Sequence, residues 1–466
     1  MIRPTLLALA LFSVINSAAA TPASPLPHSP GTPYAASGLA DRIVLTPGAN
    51  PAREMAVTFR TDTHQQASQL QLAVALDGPQ LAKAAHTLEG TQLSLDTENG
   101  PALYHQVRLH DLQPDTAYVY RVKGAEGWSE WLQFRTAAET FKPFSFIYMG
   151  DVQNDILSLA SRSIRQALRS VANPALIVHA GDLVSQRDDL VHDDQWGEWN
   201  QAGGYNYGMI PQVVAIGNHE YLDGTHPDGS ESRTLSPHWN RQFALPDNGV
   251  PGLKNTTYVM DYQGVRFIVL DGTAALDMGT LAEQTKWLEN SLKNSPARWN
   301  IVVNHQPVFT CARPEDTEPL KAAWKPLFER YKVDLVLQGH DHCYSRVTSE
   351  AGRAASRADR ASGKVQGPVY MVSVAGSKMY GLNDRAHLQP DRSAEETQLY
   401  QTIDVQDSRL EVRSYTAAGK LYDAFDLERD AQNRNHLSEP VKSLPAERAC
   451  TGTAGPDGYP CSSRGK

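Results

Sequence analysis

Short segments that alternate apolar and polar side chains run from Gly38 to about Thr136, with turn residues between them. Such alternation is typical of strands that bury one face and expose the other. We see no convincing long amphipathic helix in this region. Residues 39–138 are therefore predicted to form an all-β sandwich. The predicted strands are RIVLTPG, EMAVTFRT, LQLAVALDG, LYHQVRLHDLQP, TAYVYRVKG and WLQFRTA.

From residue 143 the pattern changes to almost wholly apolar strands that alternate with segments of helical period, and more strands follow to about Leu427. This order predicts an α/β (α+β) layered domain over residues 143–428, followed by a tail over 429–466. Asn154 or Asp155 is the expected N-cap of the first helix. The predicted helices are DILSLASRSIRQALRSV, TLAEQTKWLENSLKN and EPLKAAWKPLFERYK. The predicted strands include FSFIYM, ALIVHA, QVVAIG, TTYVMDY, VRFIVLD, WNIVVNH, VDLVLQGH and VYMVSVAG.

The first twenty residues combine a basic residue, a short apolar core and a run of alanines. This pattern predicts a cleaved signal peptide at 1–20, and the alternative is a short buried helix. Residues 21–38 are rich in Pro, Ser and Ala and are expected to form a flexible leader. The protein is therefore predicted to be secreted or periplasmic, where its four cysteines can pair.

Charge and hydropathy argue against a nucleic-acid partner and against a transmembrane anchor. The 466 residues carry a formal net charge of −9, which argues against a protein held to nucleic acid by phosphate contacts. No apolar run reaches the roughly 18 residues that cross a bilayer, so no transmembrane anchor is predicted. The oligomeric state stays open.

Candidate chemistry lies where the apolar strands of the second domain end. Because ligands of open α/β sheets gather at the carboxyl ends of strands, side chains at these positions are expected to converge. Carboxylate, amide and imidazole groups together are typical of a metal site. The residues are Asp151, Asp182, Asn218, His219, His305, His340 and His342.

Five motifs carry a family resemblance. GDVQ, GDLV, GNHE, NHQP and GHDHCYSR occur in this order, which resembles the calcineurin-like metallophosphoesterases. The segment VRLHDLQPDTAYVYRV is similar to fibronectin type III domains, and a domain of that kind before the enzyme resembles the purple acid phosphatase branch. The resemblance implies a central β-sandwich flanked by helices in the second domain.

The resemblance also implies a ligand set for two metal ions, which would be Fe, Zn or Mn. Asp182 would bridge the ions, Asp151 and His342 would hold the first, and the second would be held by Asn218, His305 and His340. Asn218 and His219 would contact a phosphate-ester substrate, with His219 as general acid. A structural His219 bonded to Glu220 is the alternative.

The implied function is an exported phosphoesterase, an acid phosphatase or phosphodiesterase. It would hydrolyse phosphate monoesters, diesters or both by attack of a metal-bridging hydroxide. The rival is a non-catalytic adhesion or binding protein with a degenerate phosphoesterase domain.

Two positions depart from the family pattern. The general family has a histidine where this chain has Gln153, and purple acid phosphatases have a tyrosine where it has Ser185. The missing tyrosine favours a pair of divalent ions over ferric iron. Gln153 would either bind the first metal through its amide oxygen or hold a water molecule beside it.

Four cysteines allow three pairings. Because His305 and His342 would both meet the metal pair, Cys311–Cys343 is expected, and Cys450–Cys461 would pin the tail. Cys343 as a thiolate ligand is the alternative. Four further histidines are predicted to be surface or packing residues, namely His64, His86, His105 and His110. His192, His226 and His238 are predicted to be solvated loop residues, with substrate contact as the alternative. The basic stretch at 351–364 is predicted to be an exposed insertion.

Overall fold

The computed structural model describes residues 33–185, 191–229, 231–348, 368–385, 390–430 and 435–465. The predicted signal peptide, most of the leader and the basic stretch at 351–364 lie outside the described residues. Tyr34–Lys466 form one compact unit. None of the described helices is long and apolar enough to span a membrane.

The N-terminal domain is a two-sheet β-sandwich, which confirms the prediction. Its sheets have the strand orders β1-β2-β6-β5 and β4-β3-β7-β8, and β9 pairs with β7. Apolar side chains from both sheets, such as Phe59 and Tyr120, form its core. The elements are β1 (Asp41–Pro47), β2 (Met55–Thr61), β3 (Gln69–Val74), α1 (Leu81–Ala84), β4 (His86–Glu89), β5 (Thr91–Thr97), β6 (Gly100–Leu109), β7 (Ala117–Gly124), β8 (Gly127–Trp128) and β9 (Leu132–Arg135).

Three strands of this domain were not predicted, namely β4, β5 and the two-residue β8. β4 and β5 lie at sheet edges, and most of their side chains are exposed. An edge strand gains its backbone hydrogen bonds without burying a face, so its sequence shows little apolar periodicity. Tyr118, near the start of β7, ties the strand to the preceding loop because its hydroxyl accepts a 2.9 Å hydrogen bond from the Gln113 N–H.

The second domain packs two seven-stranded sheets face to face, as predicted. Their strand orders are β12-β11-β10-β22-β23-β24-β25 and β15-β16-β17-β18-β20-β19-β21. Phe146 and Phe267 belong to different sheets, and their rings pack edge to face with centroids 5.4 Å apart. The strands are β10 (Phe144–Met149), β11 (Leu176–Ala180), β12 (Gln212–Ala215), β13 (Tyr221–Thr225), β14 (Glu231–Leu235), β15 (Tyr258–Tyr262), β16 (Val265–Val269), β17 (Trp299–Val303), β18 (Leu335–Gln338), β19 (Tyr344–Thr348), β20 (Val369–Val372), β21 (Arg392–Ala394), β22 (Leu399–Val405), β23 (Arg409–Thr416), β24 (Leu421–Arg429) and β25 (Asn435–Ser438).

Helices and short turns cover the outside of these sheets. A π-helical turn at Ile156–Ala160 leads into α2, and a 3₁₀ turn occupies Asn218–Glu220. The helices are α2 (Ser161–Ser170), α3 (Asp194–Gly203), α4 (Asn206–Met209), α5 (Trp239–Gln242), α6 (Gly272–Asp277), α7 (Leu281–Lys293), α8 (Glu318–Ala323) and α9 (Lys325–Arg330).

One expectation about the helices holds in position only, and another was wrong. Asp155 is the N-cap residue of the π-helical turn that leads into α2, but its side chain makes no capping hydrogen bond; it has a φ of 47°, and its carboxylate accepts a hydrogen bond from the Ser377 hydroxyl. The third predicted helix is divided at Trp324 into α8 and α9. Pro326 stands in the first turn of α9, and because proline has no N–H it cannot continue the hydrogen-bond ladder of α8.

A buried ion cluster joins the two domains. The Asp193 carboxylate lies 2.5 and 2.7 Å from the two terminal nitrogens of Arg42, and it also contacts Arg60 at 3.2 Å. His238 belongs to the same cluster, with Nε2 3.2 Å from Asp193, and is 1% exposed. The prediction that His238 is a solvated loop residue was therefore wrong. Burial alone would raise the pKa of Asp193, but His238 and Arg42 hold it well below its usual range.

We expect Asp193→Asn to lower the free energy of unfolding by about 3 kcal/mol, because removing one partner of a buried pair leaves the other charges unpaired. Urea denaturation measures this. Asp247→Asn is the matched control, since Asp247 is 61% exposed and forms an ion pair with the exposed Lys254; its effect should stay below about 0.5 kcal/mol. Equal stabilities of the two variants would contradict the role assigned to the cluster.

Candidate metal centre

Four of the candidate ligands adopt a left-handed backbone conformation immediately after a strand. The φ angles of Asp151, Asp182, His340 and His342 are 45°, 52°, 74° and 49°. A non-glycine residue with such a φ costs of order 1 kcal/mol or more, and residues of this kind cluster at functional sites. The turns aim side chains from β10, β11 and β18 into one space between the two sheets.

Glycine precedes Asp182 for a steric reason. Gly181 has a φ of 86°, and a Cβ atom there would lie 2.7 Å from His305 Nδ1. The close approach leaves room only for hydrogen, so the backbone of this turn can pass directly beside the histidine.

The first candidate metal site consists of Asp151, Asp182 and His342. One ligand atom of each lies within 4.8 Å of the others, and all three residues are buried. His342 Nδ1 donates a 2.9 Å hydrogen bond to the Lys378 carbonyl, so Nε2 is the ring nitrogen that could bind a metal. Burial, assisted by the Lys378 charge, lowers the pKa of His342 to about 3, so its imidazole is neutral.

The second candidate metal site consists of Asp182, His305 and His340, with Asn218 beside them. His305 Nε2 lies 3.1 Å from Asp182 Oδ2, 3.2 Å from His340 Nδ1 and 3.2 Å from Asn218 Oδ1. His305 Nδ1 donates to the Ala180 carbonyl at 2.7 Å, so Nε2 points into the cluster. Burial and the charge of Arg313 lower the pKa of His340, which keeps that imidazole neutral as well.

Asp182 belongs to both groups, and its charge dominates the centre. Burial would raise its pKa, but the imidazoles of His305 and His219 hold the pKa well below the usual range. Burial lowers the pKa of His305, yet Asp182 raises it to about 9. A shared carboxylate flanked by imidazoles, an amide oxygen and a second carboxylate is a donor set that suits two borderline divalent ions, and a metal bound at His305 would displace the proton that this raised pKa favours.

Gln153 lies inside the first metal site. It is fully buried, and its amide nitrogen lies 3.0 Å from Asp182 Oδ2 and 2.9 Å from His342 Nε2. Its amide oxygen has no hydrogen-bond partner among the described residues. The two ends of an amide are assigned from hydrogen bonds, and a half-turn would place the oxygen beside the same two donor atoms. The residues present therefore fit a cation at this point.

His219 faces the centre from the 3₁₀ turn. Its backbone N–H donates to Asp182 Oδ1 at 3.0 Å, and its ring Nε2 lies 3.9 Å from Asp182 Oδ2. The ring Nδ1 lies 2.6 Å from the Ser185 carbonyl. Ser185 is held in turn by Gln195, whose side-chain oxygen accepts from the Ser185 N–H at 2.6 Å. Gln195 follows Asp193 by two residues. The buried ion cluster therefore fixes the segment whose Gln195 side chain holds Ser185, and Ser185 in turn holds the His219 ring.

Glu220 organises the backbone of the site. Its buried carboxylate accepts hydrogen bonds from the N–H groups of Gly217, Asp182, Leu183 and Val184, at 2.8, 3.0, 2.7 and 3.4 Å. Burial raises its pKa to about 7. Sequence reasoning considered Glu220 only as a partner of the His219 ring, whereas the structure uses it to lock the Asp182 and Asn218 turns together.

A cavity of about 290 Å³ opens onto the centre. Sequence reasoning missed seven of its lining residues, which come from β14, α6 and several loops. Four of them are charged, but charge is common on every surface and was not a specific signal. These residues are Arg233, Leu276, Asp277, Gln306, Arg313, Lys378 and Tyr380.

Disulfides hold two segments beside the cavity. Cys311 pairs with Cys343, next to the ligand His342, and Cys450 pairs with Cys461 in the tail. Asp341 binds the same loop, because it accepts hydrogen bonds from the N–H groups of Cys311 and Ala312 and from Arg313. The loop that carries Arg313 is therefore tied to the loop that carries His340 and His342.

Two family models match the chain. Residues 40–136 match the purple acid phosphatase N-terminal domain, and residues 144–344 match the calcineurin-like phosphoesterase domain. The chain is 28% identical over 329 residues to an uncharacterized protein of Mycobacterium tuberculosis, a match that covers 64% of this chain and 60% of that protein. It is 26% identical over 302 residues to the Fe(3+)-Zn(2+) purple acid phosphatase 12 of Arabidopsis thaliana. That match covers 62% of this chain and 63% of the relative. The chain thus spans less than two thirds of the length of these curated relatives.

A solved structure shares the architecture. The purple acid phosphatase from seeds of yellow lupin (Lupinus luteus) superposes with a TM-score of 0.65 at 17% identity, over 88% of this chain and 78% of that one. At this identity the likeness concerns the fold, and it agrees with the order of the two matched domains. The chain therefore combines a calcineurin-like phosphoesterase domain with a preceding domain of the purple acid phosphatase N-terminal type.

Proposed function

We propose that this protein is an exported, dinuclear metal-dependent phosphoesterase that hydrolyses phosphate monoesters, diesters or both. One observation supports this most strongly. Two groups of metal-binding side chains share Asp182, and a cavity that also contains His219 opens onto them. A packing role does not explain why seven strand-end side chains aim their donor atoms at one another.

The ligand assignment follows the two groups. Asp151 and His342 would hold the first ion, Asn218, His305 and His340 the second, and Asp182 both. When bound, two such ions would acidify a water molecule and neutralise charge on the phosphoryl oxygens. Zn and Mn suit these donors, and Ser185 offers no phenolate that would favour ferric iron.

In this proposal the protein's own residues orient the metal ligands and donate a proton to the leaving group. Glu220 holds the Asp182 and Asn218 turns at a fixed separation through backbone hydrogen bonds. His219 lines the cavity, and the Ser185 carbonyl fixes its Nδ1, so that Nε2 is the atom that meets the substrate. We infer that His219, protonated on both ring nitrogens, donates its Nε2 proton to the leaving-group oxygen and is left as the neutral imidazole with its Nδ1 proton on the Ser185 carbonyl.

Export is proposed from the N-terminal pattern and the cysteines. All four cysteines are paired in disulfides, and such pairs persist in oxidising compartments. Comparison of the N-terminal residue of the mature protein with Thr21 tests the cleavage at 1–20.

Phosphatase assays test the catalytic proposal. The metal-loaded protein should hydrolyse p-nitrophenyl phosphate, its bis ester or both; chelation should abolish turnover, and Zn or Mn should restore it. A protein that binds metal but turns over neither ester would favour the non-catalytic binding role instead.

Gln153 gives a more specific prediction. Gln153→Ala should weaken metal binding at the first site, and Gln153→His should strengthen it, because imidazole is the better donor for borderline ions. We expect activity of Gln153→Ala to return with excess Mn or Zn. Isothermal titration with Zn measures both affinities directly.

The control for this experiment is Gln306→Ala. Gln306 lines the cavity, but its side-chain nitrogen donates to Thr273 rather than to a candidate ligand. Its replacement should leave the metal affinity unchanged. Wild-type affinity in both Gln153 variants would place that amide outside the coordination of the first metal.

A further inference from the structure

Lys378 occupies a distinctive position beside the metal centre. It lies in the loop after β20, and its backbone carbonyl accepts the hydrogen bond that orients His342. Its ammonium nitrogen is 5.4 Å from the centroid of the Tyr380 ring, and both side chains line the cavity. The same residue thus fixes a candidate ligand with its backbone and faces the cavity with its side chain.

The other cations around the cavity are neutralised. Arg233 forms ion pairs with Asp223 and Asp277, the latter at 2.9 Å. Arg313 forms an ion pair with the buried Asp341. Lys378, by contrast, has no ion-pair or hydrogen-bond partner for its ammonium group in the part of the chain that the structure describes.

An unpaired ammonium in a cavity wall is a binding group for an anion. The ligand set already contains two carboxylates, Asp151 and Asp182, whose charge two metal ions would offset. The ammonium of Lys378 adds a positive charge beyond those ions. The Lys378 ammonium would attract a dianionic group more strongly than a monoanionic one, because the Coulomb energy scales with the charge of the bound group.

We propose that Lys378 binds a phosphoryl oxygen of the substrate and thereby selects dianionic phosphomonoesters over monoanionic phosphodiesters. This assignment rests on the proposed phosphoesterase function.

The test is Lys378→Met, which keeps most of the side-chain length and removes the charge. At a pH where the monoester is dianionic, kcat/KM for p-nitrophenyl phosphate should fall about tenfold or more, the scale of a charge-assisted hydrogen bond. For bis(p-nitrophenyl) phosphate the fall should stay below about threefold, because that ester carries half the charge. Lys378→Arg should recover most of the monoester activity.

A binding measurement separates this role from a structural one. Inorganic phosphate should bind metal-loaded Lys378→Met about tenfold more weakly than the wild type in calorimetry, in line with the lost charge. Elemental analysis should show unchanged metal content, because the backbone carbonyl that orients His342 remains. Lys293→Met, at the exposed end of α7, is the matched control and should change neither quantity.

Equal losses for the two esters, or unchanged phosphate affinity, would overturn the proposal for Lys378 while leaving the phosphoesterase function intact. Loss of metal from Lys378→Met would also overturn it, since the residue would then act through His342. Failure of the metal-loaded wild type to hydrolyse either ester would instead refute the proposed function itself.

Discussion

Asp182→Asn is expected to lose both metal ions together and to reduce turnover by about a thousandfold or more, because the metal contribution of several kcal/mol disappears. Asp182 is the one residue common to both groups of candidate ligands. Two cations held about 4 Å apart repel each other, and an anionic bridge offsets that repulsion where a neutral amide does not. The shape of the side chain is preserved, so the effect isolates the charge.

Elemental analysis of the purified variant measures the loss. Asp151→Asn is the matched comparison, since Asp151 belongs to the first group alone; it should release one ion and retain the other. Wild-type metal content in Asp182→Asn would refute the bridging role, and loss of both ions from both variants would show that the sites do not fill independently.

His219→Ala is expected to keep both metal ions and to lower turnover by about a hundredfold or more, the usual scale of general acid catalysis. The side chain lies 3.9 Å from Asp182 but lines the cavity, and the neighbouring Asn218, His305 and His340 remain to bind the metal. The loss should be smaller for p-nitrophenyl phosphate than for an alkyl phosphate, since a good leaving group needs less protonation.

The dependence on the leaving group distinguishes acid catalysis from simple phosphate binding. Equal losses for aryl and alkyl phosphates would exclude proton donation and leave His219 with a positioning role. His226→Ala is the control, because His226 is exposed in the loop that follows the same motif. That variant should retain wild-type rates for both classes of ester.

The fold and the set of candidate ligands could be predicted from the local sequence, because each depends on a short-range pattern. The strand β10 is apolar over its whole length and ends at Asp151, so periodicity and the adjacent acid were visible together. Five motifs at strand ends named every side chain that the structure now brings together around Asp182. Edge strands β4 and β5 escaped detection because their stability comes from pairing with a neighbour and not from a buried face.

The sequence did not predict which charged side chains pair with one another. His238 was expected in solvent, yet it is buried against Asp193, 45 residues earlier in the chain. Asp193 itself stands in an ordinary acidic stretch, and only the docking of Arg42 and Arg60 from the other domain makes it a buried ion. Such contacts depend on which loops lie next to each other in the folded protein. The spacing of apolar residues within a short segment contains no information about that.

The sequence by itself determined the order of the elements, the sandwich that precedes the layered domain and the residues that can bind metal, since apolar period and side-chain chemistry are properties of short segments. Only the tertiary structure decided that two groups of candidate ligands share Asp182, that Gln153 lies between Asp182 and His342, and that Lys378 faces the cavity with no counter-ion among the described residues. Each of these depends on a distance between residues far apart in the chain, and the close packing of two sheets and their loops sets those distances.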